Sequence, residues 1–379
     1  MCPNGVEWKT LGKLCEINKG EQLNKENMSE VGSYPVINGG ICPSGYVEVY
    51  NQPKDTITIS QGGASAGYVN WMKTEFWAGA HCYVVIPNKE IVSNRYVYHY
   101  VKSIESKLQE CQYGAGIPAL AKKTVEQVQI PLPPLAIQSR IGEILDHFTN
   151  LTANLTAELA LRRKQFEHFR EKMLCPNGVE WKTLGEVGTF FNGVTGKSKK
   201  DFENGNAKFI SYMNVFTNPK LNIDVNDTIQ INEGEKQNTL QYGDAIFTTS
   251  SETPDESGMS AVLTTQSDEK LYLNSFCFGF RFNSLENINP DFYSYIFRSE
   301  PLRKQIVKCA NGVTRYNISK ESFAKVKIPV PPLAVQQTIV EQLDKFTALI
   351  QNLENELALR QKQYEYYREK LLSFPSPSL

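Results

Sequence analysis

Apolar residues in segment 130–174 fall at Ile137, Ile141, Ile144, Phe148, Leu151 and Leu155, at steps of 4, 3, 4, 3 and 4. That spacing is a heptad seam, the stripe a helix buries against a partner helix. The series continues through Leu159, Arg162, Phe166, Phe169 and Met173. The two consecutive four-residue steps at Leu151, Leu155 and Leu159 make one stutter, which locally unwinds a supercoil. A second series runs Val335, Ile339, Leu343, Phe346, Leu349, Leu353, Leu357, Arg360, Tyr364, Tyr367, Leu371. Each series follows a proline cluster, Pro131, Pro133 and Pro134 or Pro329, Pro331 and Pro332. Proline ends a strand and tolerates the first helical turn. Neither Gly nor Pro interrupts 143–174 or 333–372, and Gly142 is the one weak point in the first series. The pattern predicts two helices of roughly 40 residues, each about 60 Å long. Arg162 and Arg360 sit on the seams. Their stems are expected to pack and their heads to pair with Glu158 and Glu356 one turn back.

The two segments are copies. IPLPPLAIQSRIGEILDHFTNLTANLTAELALRRKQFEHFREKML at 130–174 and IPVPPLAVQQTIVEQLDKFTALIQNLENELALRQKQYEYYREKLL at 328–372 agree at 28 of 45 positions. CPNGVEWKTLG occurs at 2–12 and again at 175–185. An internal repeat decides architecture before any other signal. Residues 13–129 and 186–327 do not match in sequence and differ in length, 117 against 142. The chain therefore reads as one frame carrying two different inserts. A matched helix within the same chain is the simplest partner for each seam, and because the chain must return, an antiparallel pair is expected.

Both inserts read as mixed α/β. In the first, Thr56–Ser60 and Ala80–Ile86 are β-like, and 92–112 reads as a helix with Tyr96, Tyr100, Ile104 and Leu108 on one face. In the second, Asp244–Thr249 and Ser275–Phe282 are β-like, and 290–308 reads as the matching helix. A Gly-containing turn follows in each, Tyr113–Ile117 or Asn311–Tyr316, and then an apolar strand leads to the prolines. The expected fold is α+β: two globular mixed α/β domains, 1–129 and 175–327, separated by two long helices, 130–174 and 328–379. The helices form an intramolecular antiparallel coiled coil with pseudo-two-fold repetition.

The chain has 379 residues, 41% of them hydrophobic and 21% charged, enough for two or three domains with cores. No apolar run approaches the roughly 20 residues of a membrane span, and the N-terminus lacks a signal-peptide pattern, so a cytoplasmic protein with no membrane role is expected. Eight cysteines are scattered without a CxxC pair. That pattern predicts structural free thiols rather than a disulfide framework or zinc site. Net charge is −1. Residues 1–130 carry 12 basic and 12 acidic groups, and residues 175–327 carry 17 and 18. This balance argues against a strong stand-alone nucleic-acid binder.

The frame resembles the specificity subunit of type I restriction-modification systems. The most specific parts are IPLPPLAIQ at 130–138, IPVPPLAVQQ at 328–337, and the turns YGAGIPAL at 113–120 and ANGVTRYNIS at 310–319. The resemblance covers the whole chain. It implies that each variable domain is a target recognition domain for one half of an asymmetric, interrupted site on double-stranded DNA. It also implies that the helices fix the distance between the halves and dock modification (methyltransferase) subunits, alongside a restriction (translocase/nuclease) subunit. One departure is that many members have Glu-Gln after the prolines, where this chain has Ile137-Gln138 and Val335-Gln336.

Enzyme readings find little support in the sequence. Pro133-Pro134 lies between Leu132 and Leu135, and Pro331-Pro332 between Val330 and Leu333, without the Asn or Asp and the aromatic residue of an adenine methyltransferase. The Gly-rich SQGGASAG at 60–67 follows no βαβ pattern, so no methyl-donor loop and no cofactor are expected. Pro254-Asp255 with Asp268 and Lys270 loosely fits a Mg²⁺ nuclease pattern, but lies in a polar stretch that reads as an exposed loop. Four histidines, at 81, 99, 147 and 168, suggest no metal cluster. The expected protein is a binding subunit without catalysis. The alternatives are a stand-alone methyltransferase or nuclease, or a coiled-coil scaffold without a DNA role.

DNA contact is expected from polar loops. Lys197, Lys199 and Lys200 are candidates for phosphates. Ser60, Gln61 and Ser65 in ISQGGAS, and Thr248, Thr249 and Ser250 in FTTSSET, are candidates for base edges. Arg315 and Asn317 beside the pre-helix turn are similar candidates. Each competes with the reading of a plain solvated loop.

Overall fold

The computed structural model describes residues 5–114, 116–174 and 178–375. The first residues of each repeated CPNGVEWKTLG segment, with Cys2 and Cys175, lie outside the described residues, as does Ala115 of the YGAGIPAL turn. The chain forms two compact units, 1–157 with 354–379, and 158–353. The helices Leu135–Leu174 and Leu333–Leu372 have the expected 40 residues each, and each unit takes in part of both.

In unit one, a four-stranded antiparallel sheet runs in the order Cys15–Lys19, Cys82–Pro87, Thr56–Ser60, Val69–Met72. Thr56–Ser60 is buried throughout. Its β-branched residues suit a strand covered on both faces. One cluster joins Ile57, Ile59, Tyr83 and Val85 of this sheet to Tyr96, Val97 and Val101 of the helix Asn94–Ser103. Beside it, Tyr46–Val47, Tyr34–Ile37 and Trp77–Ala78 form a small mixed sheet. Glu7–Thr10 pairs with Gln129–Leu132 and so closes the chain onto the strand that enters the prolines.

Unit two repeats this plan with a different sequence. Its four-stranded sheet runs Gly188–Asn192, Cys277–Phe282, Ala245–Thr248, Ser260–Val262, again antiparallel. The small mixed sheet is Thr228–Ile229, Ala207–Ile210, Leu271–Leu273, and Trp181–Thr183 pairs with Lys327–Pro329. The inserts that share no visible sequence thus share a fold.

Two helices expected to be continuous are broken. Residues 92–112 form Asn94–Ser103 and Glu105–Glu110, with the break at Ile104. There the Glu105 carboxylate accepts from the Val69 amide at 2.7 Å and from Lys102 Nζ at 2.5 Å, which ties the second piece to the sheet edge. Residues 290–308 form Pro290–Ile296 and Glu300–Val307. Pro301 cannot supply the amide a continuous helix needs, but it fits the first turn of a new one.

Each domain is fastened to its long helix by the same device. Gln138 is wholly buried; its Oε1 accepts from the Ser93 amide at 2.8 Å and its Nε2 donates to the Pro133 carbonyl at 2.7 Å. Gln336 does the same with the Asn289 amide and the Pro331 carbonyl, at the same two distances. Tyr96 donates to the Pro131 carbonyl, and Tyr293 to the Pro329 carbonyl. About two turns of the helix further on, the units differ. In unit one Asp146 binds the Arg95 guanidinium and His99 Nε2. In unit two Asp344 accepts from Tyr295 at 2.5 Å and from Lys220 at 3.2 Å. Gly142 lets the domain helix approach closely, because a Cβ there would stand 3.1 Å from Arg95 Cβ. Its repeat counterpart Val340 is buried among the apolar residues of unit two.

The helices pair antiparallel, and the repeat maps one contact onto the other. Phe148 stacks on Tyr367 in unit one and Phe169 on Phe346 in unit two, at centroid distances of 5.4 and 5.8 Å. Arg162 binds Glu158 at 3.2 Å and Arg360 binds Glu356 at 2.8 Å, as the seam spacing led one to expect. The early turns depart from the seam: Ile141 and Leu145 are fully buried against the domain. Val335, Leu349, Phe169 and Tyr367, all on the expected seams, are 37–41% exposed, since two helices cannot enclose such a stripe alone. Cys15, Cys82 and Cys277 are buried thiols pushed up to about 12 by desolvation, and Cys309 is buried as well, while Cys42 and Cys111 are exposed.

Replacing Gln138 by Leu strands a buried amide and a buried carbonyl, each worth about 1–3 kcal/mol. The expected result is loss of hydrogen-exchange protection at Ser93 and a lower melting temperature; unchanged protection would show that the clamp is dispensable. A second prediction concerns acid. Burial drives the His99 imidazole down to about 4, against the opposing hydrogen bond to Asp146. Its Nδ1 is enclosed with no partner among the described residues, so a second proton has nowhere to donate. Burial raises the Asp146 carboxyl, but the bonds from Arg95 and His99 outweigh it and hold the group below its ordinary range. The unfolded imidazole takes its proton near 6.5 and the folded one only near 4. This contribution is therefore complete above pH 6.5 and lost on acidification toward 4, by up to about 1.4 kcal/mol per pH unit. Thermal melts from pH 7.5 to 5 should show this slope in the native protein and a flatter one in His99→Gln.

Candidate nucleic-acid interface

Backbone hydrogen bonds put the two inserts in residue-by-residue register at one end of the central strand. The Gln61 amide donates to the His81 carbonyl, and the Leu120 amide to the Gln61 carbonyl, at 2.9 and 2.7 Å. In unit two the Thr249 amide donates to the Phe276 carbonyl, and the Ile318 amide to the Thr249 carbonyl, both at 2.9 Å. Gln61 thus corresponds to Thr249, and His81 to Phe276. The pre-helix hairpins match as well: Tyr113 pairs with Ala119, and Asn311 with Asn317. Gly114 and Gly312 open the hairpin tips with φ of 102° and 145°. A Cβ would meet the Ile117 carbonyl oxygen at 2.9 Å in the first and the Arg315 carbonyl oxygen at 2.0 Å in the second. Ile117 therefore corresponds to Arg315, and Ala119 to Asn317.

The fold itself uses several of the candidate side chains. Ser60 is buried and donates to the Gly39 carbonyl at 2.6 Å. Its counterpart Thr248 is fully buried, and its Oγ1 accepts from the Met259 amide at 3.0 Å. Lys197 is nearly enclosed and binds Glu235 Oε2 and the Gln230 carbonyl, both at 2.6 Å. That bond is the main reason the Glu235 carboxyl is held down to about 2. Lys199 and Lys200 are exposed on the single turn Lys199–Phe202, which Ser198 and Asp201 cap. Gln61 and Ser65 are half-buried, and Gln61 Oε1 is enclosed without a partner among the described residues.

In unit two the structure brings Ser250 and Arg315 to one open cleft of about 640 Å³. Arg315 Nε donates to Ser250 Oγ at 3.2 Å, and Ser250 pairs in a ladder with the exposed Asn317. Thr249 lies half-buried directly before Ser250. The cleft is also lined by Tyr212, Met213, Phe216 and Phe276, and by Glu252 and Glu256. Sequence reasoning missed the apolar wall, because Phe276 and Met213 lie far from Arg315 along the chain and meet it only in the folded cleft. Glu252 belongs to the polar FTTSSET stretch, where only the fold distinguishes it from its neighbours. The loose nuclease pattern is carried by two different turns. Asp255 lies on a loop fastened by Arg303, while Asp268 and Lys270 flank Glu269, which binds Lys208. No group of three potential metal ligands occurs among the described residues. No described helix is long and apolar enough to cross a membrane.

The family model described as the type I restriction modification DNA specificity domain matches residues 3–161 and again 176–359. The chain belongs to this family. Each match spans one insert and the larger part of the helix that follows it, so the specificity-subunit chain carries two target recognition domains. The specificity subunit of the Escherichia coli type I restriction enzymes EcoR124I and EcoR124II is 31% identical, over 98% of this chain and 95% of that one. A putative type I specificity subunit of Haemophilus influenzae is 29% identical over 97% and 96%. Among solved structures, the S subunit of a type I system from M. genitalium has the same fold, with a TM-score of 0.65 at 18% identity, covering 100% of this chain and 99% of that one. A chain from a study of type I complex assembly and conformational transition matches with a TM-score of 0.54 at 16% identity, covering 98% of each.

The hairpin tips give a prediction. Gly312→Ala places a Cβ on the Arg315 carbonyl oxygen in a backbone conformation that L residues rarely adopt, a strain of about 1–3 kcal/mol. The hairpin 310–318 should open, read as lost exchange protection at the Ile318 amide. Gly114→Ala, with the looser 2.9 Å approach, should lose less at Leu120. Equal protection in all three proteins would contradict this account.

Proposed function

We propose that this chain is the non-catalytic DNA-specificity subunit of a cytoplasmic type I restriction-modification complex. Residues 1–129 and 175–327 each read one half of an asymmetric, interrupted site on double-stranded DNA. Segments 130–174 and 328–379 separate the two readers and dock the modification subunits, and through them the restriction subunit. The observation that carries this reading is the register between the inserts: one backbone plan presents Gln61, His81 and Ile117 in unit one and Thr249, Phe276 and Arg315 in unit two. Two readers of one build with different side chains suit two half-sites of different sequence. The exposed seam residues Phe169, Val335, Leu349 and Tyr367 suit a surface covered by docked subunits. Gln61, Ser65, Lys199, Lys200, Thr249, Arg315 and Asn317 are the contact residues this reading retains. Ser60, Thr248 and Lys197 serve the fold.

Exchange of residues 186–327 for the corresponding insert of another family member should change one half-site and leave the other intact. Methylated sites mapped with the reconstituted complex would read this, and coupled changes in both halves would contradict it. Helix length gives an independent test. Four residues inserted after Leu155 add about 6 Å, nearly two base pairs, and rotate the downstream seam by only about 40°. The expected outcome is a longer non-specific gap between unchanged half-sites; an unchanged gap in an active variant would show that the helices do not set the spacing.

A further inference from the structure

The geometry points to the unit-two cleft as the seat of a G·C base pair read in the major groove, with Arg315 donating to guanine and Glu252 accepting from cytosine. This rests on the DNA-reading function proposed above and names the chemistry of one position in it.

The first argument is the use of arginines in the second insert. Arg281 binds Asp244 at 2.6 Å. Arg298 bonds the carbonyls of Val215, Phe216, Asn218 and Ser260, and Arg303 those of Asp255, Ser257 and Gly258. Those guanidinium groups are held inside the fold. Arg315 is exposed, gives one N–H to Ser250, and has no carboxylate partner among the described residues. The Ser250 bond takes Nε and leaves the terminal nitrogens free. Guanine offers O6 and N7 as a matched pair of acceptors, which a guanidinium fork fits bidentately.

The second argument separates a base from a phosphate. Glu252 and Glu256 line the same cleft and are exposed. Two carboxylates repel a phosphate, but a carboxylate is a suitable acceptor for the amino group of cytosine. Glu256 accepts from Thr253 Oγ1 at 2.8 Å. Glu252 has no hydrogen-bond partner among the described residues, so it is the free acceptor.

The third argument is the wall. Met213 and Phe276 are each 57% exposed, on the rim of a polar cleft. Tyr212 stacks on Phe216, and its hydroxyl donates to the Ser250 carbonyl at 3.1 Å, which fixes that wall to the strand bearing Ser250. Apolar side chains beside charged ones exclude water and strengthen charged hydrogen bonds to a base edge. In unit one the register places Ile117 where unit two has Arg315, so the first reader lacks this contact.

The test uses the full chain reconstituted with the modification subunits of its own system, with methylation sites mapped on a randomised DNA library. The native consensus should contain a G·C pair in the half-site assigned to the second insert. Arg315→Ala should relax that position by roughly ten- to hundredfold in discrimination, with the other half-site unchanged. Arg315→Lys, which keeps the charge but loses the fork, should relax it as well. Glu252→Ala should weaken preference at the same base pair. If Arg315→Ala weakens all sites equally, lowers the salt slope by about one, and Arg315→Lys restores binding, Arg315 is a phosphate contact and the inference is overturned while the bipartite reading stands. Unchanged preference in Glu252→Ala would overturn the cytosine contact. Absence of any bipartite consensus with the native chain would overturn the proposed function itself.

Discussion

A buried side-chain amide holds each recognition domain to the helix that leaves it. Gln138 and Gln336 each bridge a backbone amide at the start of a domain helix to a proline carbonyl at the start of a long helix. Both bonded backbone groups would otherwise be unsatisfied where the chain turns, and burial makes an unpaired group costly. Prolines cannot donate, so the turn depends on a side chain that both accepts and donates. Tyr96 and Tyr293 add a further bond to the same proline segments. Orientation of each domain on its own stretch of helix follows from these few bonds.

Around this constant joint the two units differ in chemistry. Asp146 and Asp344 are the same residue of the repeat, yet one grips an arginine and a histidine and the other a tyrosine and a lysine. Gly142 admits a close approach where Val340 fills space. Duplication kept the backbone contacts and let the side-chain partners drift together with each insert.

The frame was legible in the sequence because its information is repeated and periodic. Seam spacing located both helices, their length, and the Arg162–Glu158 and Arg360–Glu356 pairs. The shared order of β-like runs, helix, glycine turn and apolar strand was legible in both inserts, but their residue-by-residue register was not. A strand buried on both faces accepts many different apolar residues, so Ile57 and Ile59 can stand where Ala245 and Phe247 do without leaving a trace of kinship. The register is written in backbone hydrogen bonds, which carry no residue identity. Polarity alone likewise did not separate Lys197, consumed by Glu235, from Lys199 and Lys200, which reach solvent. Pro301 marks a helix break in the sequence, although the apolar periodicity of 290–308 runs through it.

The hairpin tips separate two demands that most binding loops must reconcile. Gly114 and Gly312 close the turns through their own backbone conformation, and the ladders Tyr113–Ala119 and Asn311–Asn317 are made by main-chain atoms. Ile117 and Arg315 project beyond this scaffold, 79% exposed in the first case and exposed in the second. Exchange of Ile117 removes no core contact, so its effect on folding stays within about 0.5 kcal/mol, and exchange of Arg315 gives up one bond, to Ser250. Under the DNA-reading role proposed for these tips, new side chains can be tried there at little risk to the architecture, and one substitution is enough to alter a target.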